Sequence, residues 1–312
     1  MGTFEKYKQN PGINASSLKL ISISPRAFKK AENKIEIEKP HFTLGKAVDV
    51  WLSSGKEAFI KEFYIPSINP PSGMLYTFAK YIMEGKSSQE AYILTGYKPS
   101  SIKRETVDKN LLAFKYWMEE AVNYRDKLML SPRDFLLIQD RVEEVLNNKY
   151  SSKIFKDFTS QIPLYWEEIM GNSFIPCKAL PDIIQEFDDK ILITDIKTTS
   201  EGVLGFRKTI LKYRYDLQAS WYCNAVYQCL HKPPEFQFLV VDLSEEREPP
   251  TIIKLSNKVI KDSELGFEAK NGYEYKGWRE LLANYYWHLV NNKWEYSEEV
   301  YHNDGKQIID QL

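Results

Sequence analysis

Two carboxylates and a lysine stand close together within residues 178–200: Asp182, Asp195 and Lys197. Asp182 begins a short apolar stretch, and Asp195 and Lys197 end the next one, after a polar turn. Side chains alternate along a strand, so Asp195 and Lys197 share one face while Ile196 points into the protein. If the two stretches pair as a hairpin, Asp182 lies beside Asp195. Two carboxylates and an ammonium at one point can hold a divalent metal and activate a water against a phosphodiester.

The elements that must position these residues follow from hydrophobic periodicity and turn signals. The first half is mainly helical, with predicted helical segments at 16–32, 42–63, 74–128 (interrupted near 96–101) and 131–148. The second half alternates, with predicted strands at 161–169, 174–187, 191–198, 235–243 and 251–255 and helices at 204–230 and 277–292. Ser16 or Ser17 is expected to cap the first helix, and Ser24-Pro25 to restart it.

Composition indicates a globular protein with two locally basic stretches. The 312 residues are 43% hydrophobic and 27% charged, which is ordinary for a globular chain. No apolar run has the length of a membrane span or the form of a signal peptide, so a cytoplasmic protein without membrane contact is expected. Three widely spaced cysteines fit neither a disulfide framework nor a zinc site. The net charge is −1, but residues 1–40 and 205–214 are locally basic, which suits a phosphate backbone.

Four ordered motifs carry a resemblance to a known family. Pro181-Asp182 with Asp195-Ile196-Lys197 resembles the signature of the PD-(D/E)XK nuclease superfamily. The wider wording, CKALPD over 177–182 and DIKTT over 195–199, is similar to that of RecE-type phage exonucleases. This chain also resembles the same group in three further motifs. They are a YxxQxxxY helix motif (Tyr215, Gln218 and Tyr222), an N-terminal motif over 13–19 and a predicted helix over 43–52.

The resemblance implies roles for individual residues. Asp182 and Asp195 would bind one or two Mg²⁺ ions, which Mn²⁺ could replace, with the backbone carbonyl of Ile196 as a further ligand. Lys197 would orient the attacking water or help to deprotonate it. Asp49 stands where the family usually has a histidine, and it is either a further metal ligand or a surface acid.

Other residues are candidates for contacts with DNA. Gln218 and Tyr222 lie four residues apart on one helix face, where they would contact a DNA strand or orient a metal-bound water. Arg214 closes the basic stretch before them and is a third candidate. Reserve acids for the metal are Glu143, Glu144, Glu167 and Glu168. Leu180 replaces an arginine common in the family, and the cysteines that hold an iron–sulfur cluster in some relatives are absent, so no such cluster is expected.

The fold implied is α/β: a restriction-endonuclease-like core, a central mixed sheet flanked by helices, with an elaborated helical N-terminal half. A single nuclease domain over 1–312 is expected, made of a helical part (1–150, with an insertion at about 64–130), a catalytic core (151–260) and a C-terminal helical part (261–312). The implied function is a Mg²⁺-dependent exonuclease of the RecE or lambda-exonuclease kind. It would resect double-stranded DNA ends in the 5′–3′ direction for a single-strand annealing protein and act as a homo-oligomeric ring. The alternatives are a structure-specific or endonucleolytic relative in DNA repair and a catalytically silent DNA-binding module.

Overall fold

The computed structural model describes residues 3–32, 40–98, 100, 102–269 and 272–307. The chain divides into two compact units. The first unit contains Met1–Ile37 and Glu143–Leu312, and the second contains Glu38–Val142. Within the described ranges, no helix has both the length and the apolar character needed to cross a lipid bilayer.

Helices dominate the N-terminal half, as the sequence predicts. The helices are α1 (Thr3–Gln9), α2 (Ala15–Ile23), α3 (Pro25–Glu32), α4 (Pro40–Glu62), α5 (Gly73–Met83), α6 (Ser88–Thr95), α7 (Arg104–Leu112), α8 (Lys115–Asn123), α9 (Pro132–Asn147), α10 (Gly202–Lys212), α11 (Tyr215–Leu230), α12 (Asn257–Leu265), α13 (Trp278–Asn291) and α14 (Glu298–His302).

Within the part of the chain that the structure describes, the strands form one larger sheet and three pairs. The strands are β1 (Phe63–Tyr64), β2 (Leu128–Met129), β3 (Thr159–Ser160), β4 (Leu164–Met170), β5 (Ser173–Ala179), β6 (Ile183–Glu186), β7 (Ile191–Thr199), β8 (Pro234–Asp242), β9 (Thr251–Lys254), β10 (Phe267–Glu268) and β11 (Glu274–Tyr275). The larger sheet has the order β3-β6-β7-β8-β9, and the pairs are β1-β2, β4-β5 and β10-β11.

The mixed character of the central sheet comes from one crossover. Strand β7 pairs antiparallel with β6 and parallel with β8, and the chain passes from β7 to β8 through α10 and α11. A parallel pair needs such a long connection, because a short turn can only reverse the chain. Both strands are buried along most of their length, as strands covered on both faces are. The predicted α/β fold with a central mixed sheet flanked by helices is confirmed.

Three details of the sequence prediction are wrong. The strand expected at 174–187 is two strands: β5 pairs with β4 in a separate sheet, and β6 joins the central sheet. Pro181 lies between them, and a proline has no N–H to continue a ladder. The helix expected at 204–230 is broken at Arg214, whose backbone is left-handed (φ 52). The cap of α2 is Asn14 rather than a serine, because its side-chain oxygen accepts the backbone N–H of Ser17 at 2.9 Å.

The second unit has a core of its own. It consists of α4–α8, the short parallel pair β1-β2 and the start of α9. Its buried centre contains Phe78, Tyr92, Val107 and Trp117. The insertion predicted at about 64–130 lies within this unit. The expectation of a single nuclease domain over the whole chain stays a prediction.

Candidate active site

The hairpin β6–β7 places the two signature carboxylates opposite each other. In its register Ile183 pairs with Thr194, so the next residues beyond the ladder, Asp182 and Asp195, face one another. The Asp182 carboxylate (Oδ2) also accepts the backbone N–H of Ile196 at 2.8 Å, which fixes its orientation toward β7. Asp182 therefore lies beside Asp195, as the sequence predicts for strands that pair as a hairpin.

Lys197 is the counter-charge of this carboxylate pair. Its ammonium forms an ion pair with Asp195 Oδ2, and the Asp195 side chain is only 1% exposed. Burial by itself lowers the pKa of Lys197, but the charges of Asp195 and Asp182 outweigh it and raise the pKa above its usual value. The lysine is therefore positively charged at neutral pH.

Helix α11 supplies the opposite side of the site. Gln218 Nε2 donates to Asp195 Oδ1 at 2.8 Å and to the Tyr222 hydroxyl at 3.3 Å. Burial, and after it the charges of Asp195 and Asp182, raise the pKa of Tyr222 well above its usual value, so the phenol is neutral. The expectation that Gln218 and Tyr222 share one helix face is confirmed, and that face is directed at Asp195.

Lys19 belongs to this group of residues, although no sequence pattern assigned it a role. Its ammonium donates to Gln218 Oε1 at 2.9 Å and lies 4.8 Å from the ring centroid of Tyr215. Burial, followed by repulsion from Lys197, lowers the pKa of Lys19 to about 8. The available signal was that Lys19 ends the 13–19 motif shared with the RecE-type group. That motif does not indicate which residues Lys19 contacts.

Arg214 lies at the beginning of α11 and is engaged within the protein. Its guanidinium pairs with the buried Asp216 (Nε–Oδ1 3.2 Å) and donates to the Lys276 carbonyl at 2.8 Å. Asp216 also accepts the Ser263 hydroxyl at 3.1 Å. These contacts hold the first turn of α11, and a role of Arg214 in DNA contact stays a prediction.

The N-terminal motif and the strand before Asp182 are joined by the backbone. Ile13 and Cys177 form a parallel bridge, with Ile13 N donating to Pro176 O and Lys178 N donating to Ile13 O, both at 2.8 Å. The Lys178 ammonium donates to the carbonyls of Tyr7 and Asn10. Two motifs far apart in sequence thus form one structural unit, and it places α2 beside α11.

Asp49 and the reserve acids lie on three other elements, α4, α9 and β4. Asp49 lies on α4 in the second unit and is partly buried, and its role as a metal ligand stays a prediction. Glu168 accepts hydrogen bonds from Trp166 Nε1 (2.9 Å) and Asn224 Nδ2 (2.7 Å), so its carboxylate is used in packing β4 against α11. Glu167 is exposed on β4. Glu143 and Glu144 lie on α9.

The donor set around Asp182 and Asp195 fits a hard divalent cation. Among the described residues, no group of three or more histidine, cysteine or acidic side chains is arranged to hold a metal. Mg²⁺ does not require one, because it is usually bound through one or two carboxylates, with waters and substrate phosphate oxygens completing the shell. Two facing carboxylates on a buried strand end meet that requirement. Oxygen ligands also favour Mg²⁺ or Mn²⁺ over zinc.

Comparison with known proteins assigns the family. Residues 14–271 match the family described as a PDDEXK-like domain of unknown function (DUF3799). No curated protein sequence matches the chain. Two solved structures are similar to it: one described as a "putative exonuclease" from Eubacterium rectale (10% identity, 89% of this chain and 97% of that chain, TM-score 0.39) and one of SSO0001 (14% identity, 72% and 83%, TM-score 0.25). Both TM-scores lie below 0.5, so the assignment depends on the family match. Since that match covers most of the sequence, the chain belongs to the PDDEXK-like family and carries the fold of the PD-(D/E)XK nuclease superfamily.

Proposed function

We propose that this protein is a Mg²⁺-dependent exonuclease that degrades linear double-stranded DNA from a 5′ end, with Mn²⁺ able to replace Mg²⁺. Membership of the PDDEXK-like family supports a nuclease. The single observation that carries the proposal is the pairing of Asp182 with Asp195 across β6–β7, with Lys197 on Asp195. The exonuclease activity and its polarity are supported by the resemblance to RecE-type enzymes.

In the proposed mechanism, Asp182, Asp195 and the Ile196 carbonyl would hold the cation. A cation held there would supply Lewis acidity, which would lower the pKa of a bound water and stabilise negative charge developing on the phosphate. The N–H of Ile196 keeps Asp182 oriented, and Gln218 keeps Asp195 oriented, so little reorganisation is needed when substrate arrives. Lys197 provides a fixed positive charge beside Asp195 that orients the attacking water.

The surface next to the site supports a DNA substrate. Arg207, Lys208 and Lys212 are exposed on α10, the helix that directly precedes α11. Exposed basic side chains on one helix attract a phosphate backbone without reading its sequence. We further propose that the single strand left by resection is the substrate of an annealing protein, and that the enzyme works as a homo-oligomeric ring.

The decisive experiment compares three DNA forms. Purified protein is incubated with Mg²⁺ and linear, nicked circular or closed circular duplex, and end labels report polarity. We expect degradation of the linear duplex from its 5′ ends, intact closed circles and no degradation by Asp195→Ala. Cutting of closed circles would replace the exonuclease with an endonuclease of the same superfamily. DNA binding without cleavage of any form would identify a silent binding module.

A further inference from the structure

Lys19 is a partly buried lysine joined to the polar network of the candidate site through Gln218. It extends from α2 and is partly buried. Its ammonium has two neighbours that hold it, the Gln218 carbonyl oxygen at 2.9 Å and the ring of Tyr215 at 4.8 Å. Lys197 lies 5.1 Å from the same ring. The attraction of both cations to one aromatic ring offsets part of their mutual repulsion.

Asp195 and Lys19 together set which way the Gln218 amide points. An ammonium only donates hydrogen bonds, and a carboxylate only accepts them. Gln218 lies between the two, with its NH₂ group on Asp195 and its oxygen on Lys19. The opposite orientation would place the amide oxygen against the carboxylate and the NH₂ group against the ammonium. Tyr222 does not decide the matter, because a hydroxyl can donate or accept.

Asp195 is therefore held on both oxygens by groups of known polarity. Lys197 pairs with Oδ2, and Gln218 donates to Oδ1. Without Lys19 the Gln218 amide loses one of the two charged partners that oppose its rotation, so its bond to Asp195 Oδ1 is held less firmly. Residues that orient a metal ligand in this way typically change activity or metal affinity by about 10–100-fold when they are removed.

We propose that Lys19 is a positioning residue of the candidate active site: it fixes the amide of Gln218 and, through it, the carboxylate of Asp195. The proposal rests on the proposed nuclease function. It differs from a role in DNA contact, because Lys19 acts on the turnover step and not on substrate binding. It also differs from a purely structural role, because its effect passes through one named residue.

The test is a double-mutant cycle with Lys19→Met, Gln218→Leu and the double variant, together with Lys19→Arg. Turnover (kcat) and KM are measured on linear duplex DNA with Mg²⁺, and thermal midpoints are measured without metal. Lys19→Met is expected to lower kcat by about 10–100-fold and to change KM by less than about threefold. Lys19→Arg, which keeps charge and donors, is expected to recover part of that loss. Lys258→Met removes an exposed lysine from helix α12, outside both basic stretches of the sequence, and is expected to behave as wild type.

The cycle gives the strongest criterion. If Lys19 acts through Gln218, the double variant has the kcat of Gln218→Leu alone, and its thermal midpoint falls by less than the sum of the single shifts. Additive effects on kcat would overturn the proposal. So would a rise in KM at unchanged kcat, which is the result for a DNA contact.

Failure of the proposal and failure of the proposed function are distinguishable. A wild-type protein that cleaves no DNA form with Mg²⁺ or Mn²⁺ refutes the nuclease, and the positioning role with it. A wild type that cleaves, with Lys19→Met equally active, refutes the positioning role alone. If Lys19→Met does not fold, as judged by circular dichroism, Lys19→Gln takes its place and the same outcomes decide.

Discussion

The two sides of the candidate site are built in different ways. The strand side (Asp182, Asp195, Ile196 and Lys197) comes from one hairpin, and the short chain between its members brings them together. The helix side (Lys19, Tyr215, Gln218 and Tyr222) comes from α2 and α11, and its key hydrogen bond joins residues 199 positions apart. The strand side supplies the two carboxylates, and the helix side orients one of them, Asp195. Mutations on the strand side should therefore abolish chemistry, and those on the helix side should weaken it.

The largest effect is expected from Asp195→Asn. The change keeps the size of a side chain that is 1% exposed but removes the negative charge that faces Asp182 and pairs with Lys197. We expect cleavage of linear duplex to fall by about 10³-fold or more, and Mn²⁺ binding measured by calorimetry to be lost as well. Asp188→Asn, in the exposed turn of the same hairpin, is the matched control and should retain activity. Equal loss in both variants would mean that the hairpin, not the carboxylate, is being disturbed.

The second effect concerns the ion pair of Arg214 with Asp216, which holds the first turn of α11 on the helix side. Asp216→Ala removes the partner of Arg214, whose side chain is 11% exposed, and leaves a guanidinium without its counter-charge. Breaking a buried ion pair by removing one partner costs about 3–5 kcal/mol of unfolding free energy, which urea denaturation can measure. The control is Asp262→Ala, which breaks a surface pair with Lys258 (82% exposed) and should cost less than about 1 kcal/mol. Similar losses in the two variants would show that the start of α11 is not anchored by Arg214 and Asp216.

The third effect tests whether Lys197, on the strand side, serves turnover or metal binding. Lys197→Met removes the cation next to Asp195 and Asp182, so repulsion of a bound metal falls while the attacking water loses its orienting group. We expect turnover to drop by about 10²-fold with Mn²⁺ affinity equal to or tighter than that of wild type. Lys190→Met, near the turn of the same hairpin, removes a lysine paired with Glu235 and is expected to change neither quantity. Parallel loss of turnover and metal affinity would assign Lys197 to holding the site together instead.

The same contrast between the two sides explains what the sequence could predict. The alternation around Asp195 and the turn before it were enough to place Asp182 opposite Asp195, because a hairpin is a local structure. The break between β5 and β6 at Pro181, and the left-handed Arg214 between α10 and α11, were missed. The apolar periodicity of the sequence continues across Pro181 and across Arg214. Tertiary contacts, which a local pattern does not contain, decide where the strands and helices on either side end. Lys19 could not be found, because its role depends on a contact between α2 and α11 that no local pattern encodes.

The smallest effect is a pH dependence that belongs to the helix side alone. Burial and the positive charge of Lys197 lower the pKa of Lys19 to about 8, from 10.5 for an ordinary lysine. Below pH 8 the lysine is charged in both the folded and the unfolded chain, and folding carries the full cost of burying that charge. Between pH 8 and 10.5 the unfolded chain keeps a proton that the folded one releases, so rising pH favours the folded state.

The measurement is the difference in unfolding free energy between wild type and Lys19→Met in the absence of metal. Groups that do not interact with Lys19 cancel in this difference, because they titrate alike in both proteins. As the pH rises from 7.5 to 10, the unfolding free energy of wild type should increase relative to that of Lys19→Met. If the difference between the two stays constant over this range, or changes in favour of the variant, Lys19 carries an ordinary solvated charge. The helix side would then lack a lysine of lowered pKa, the property that distinguishes Lys19 from Lys197 on the strand side.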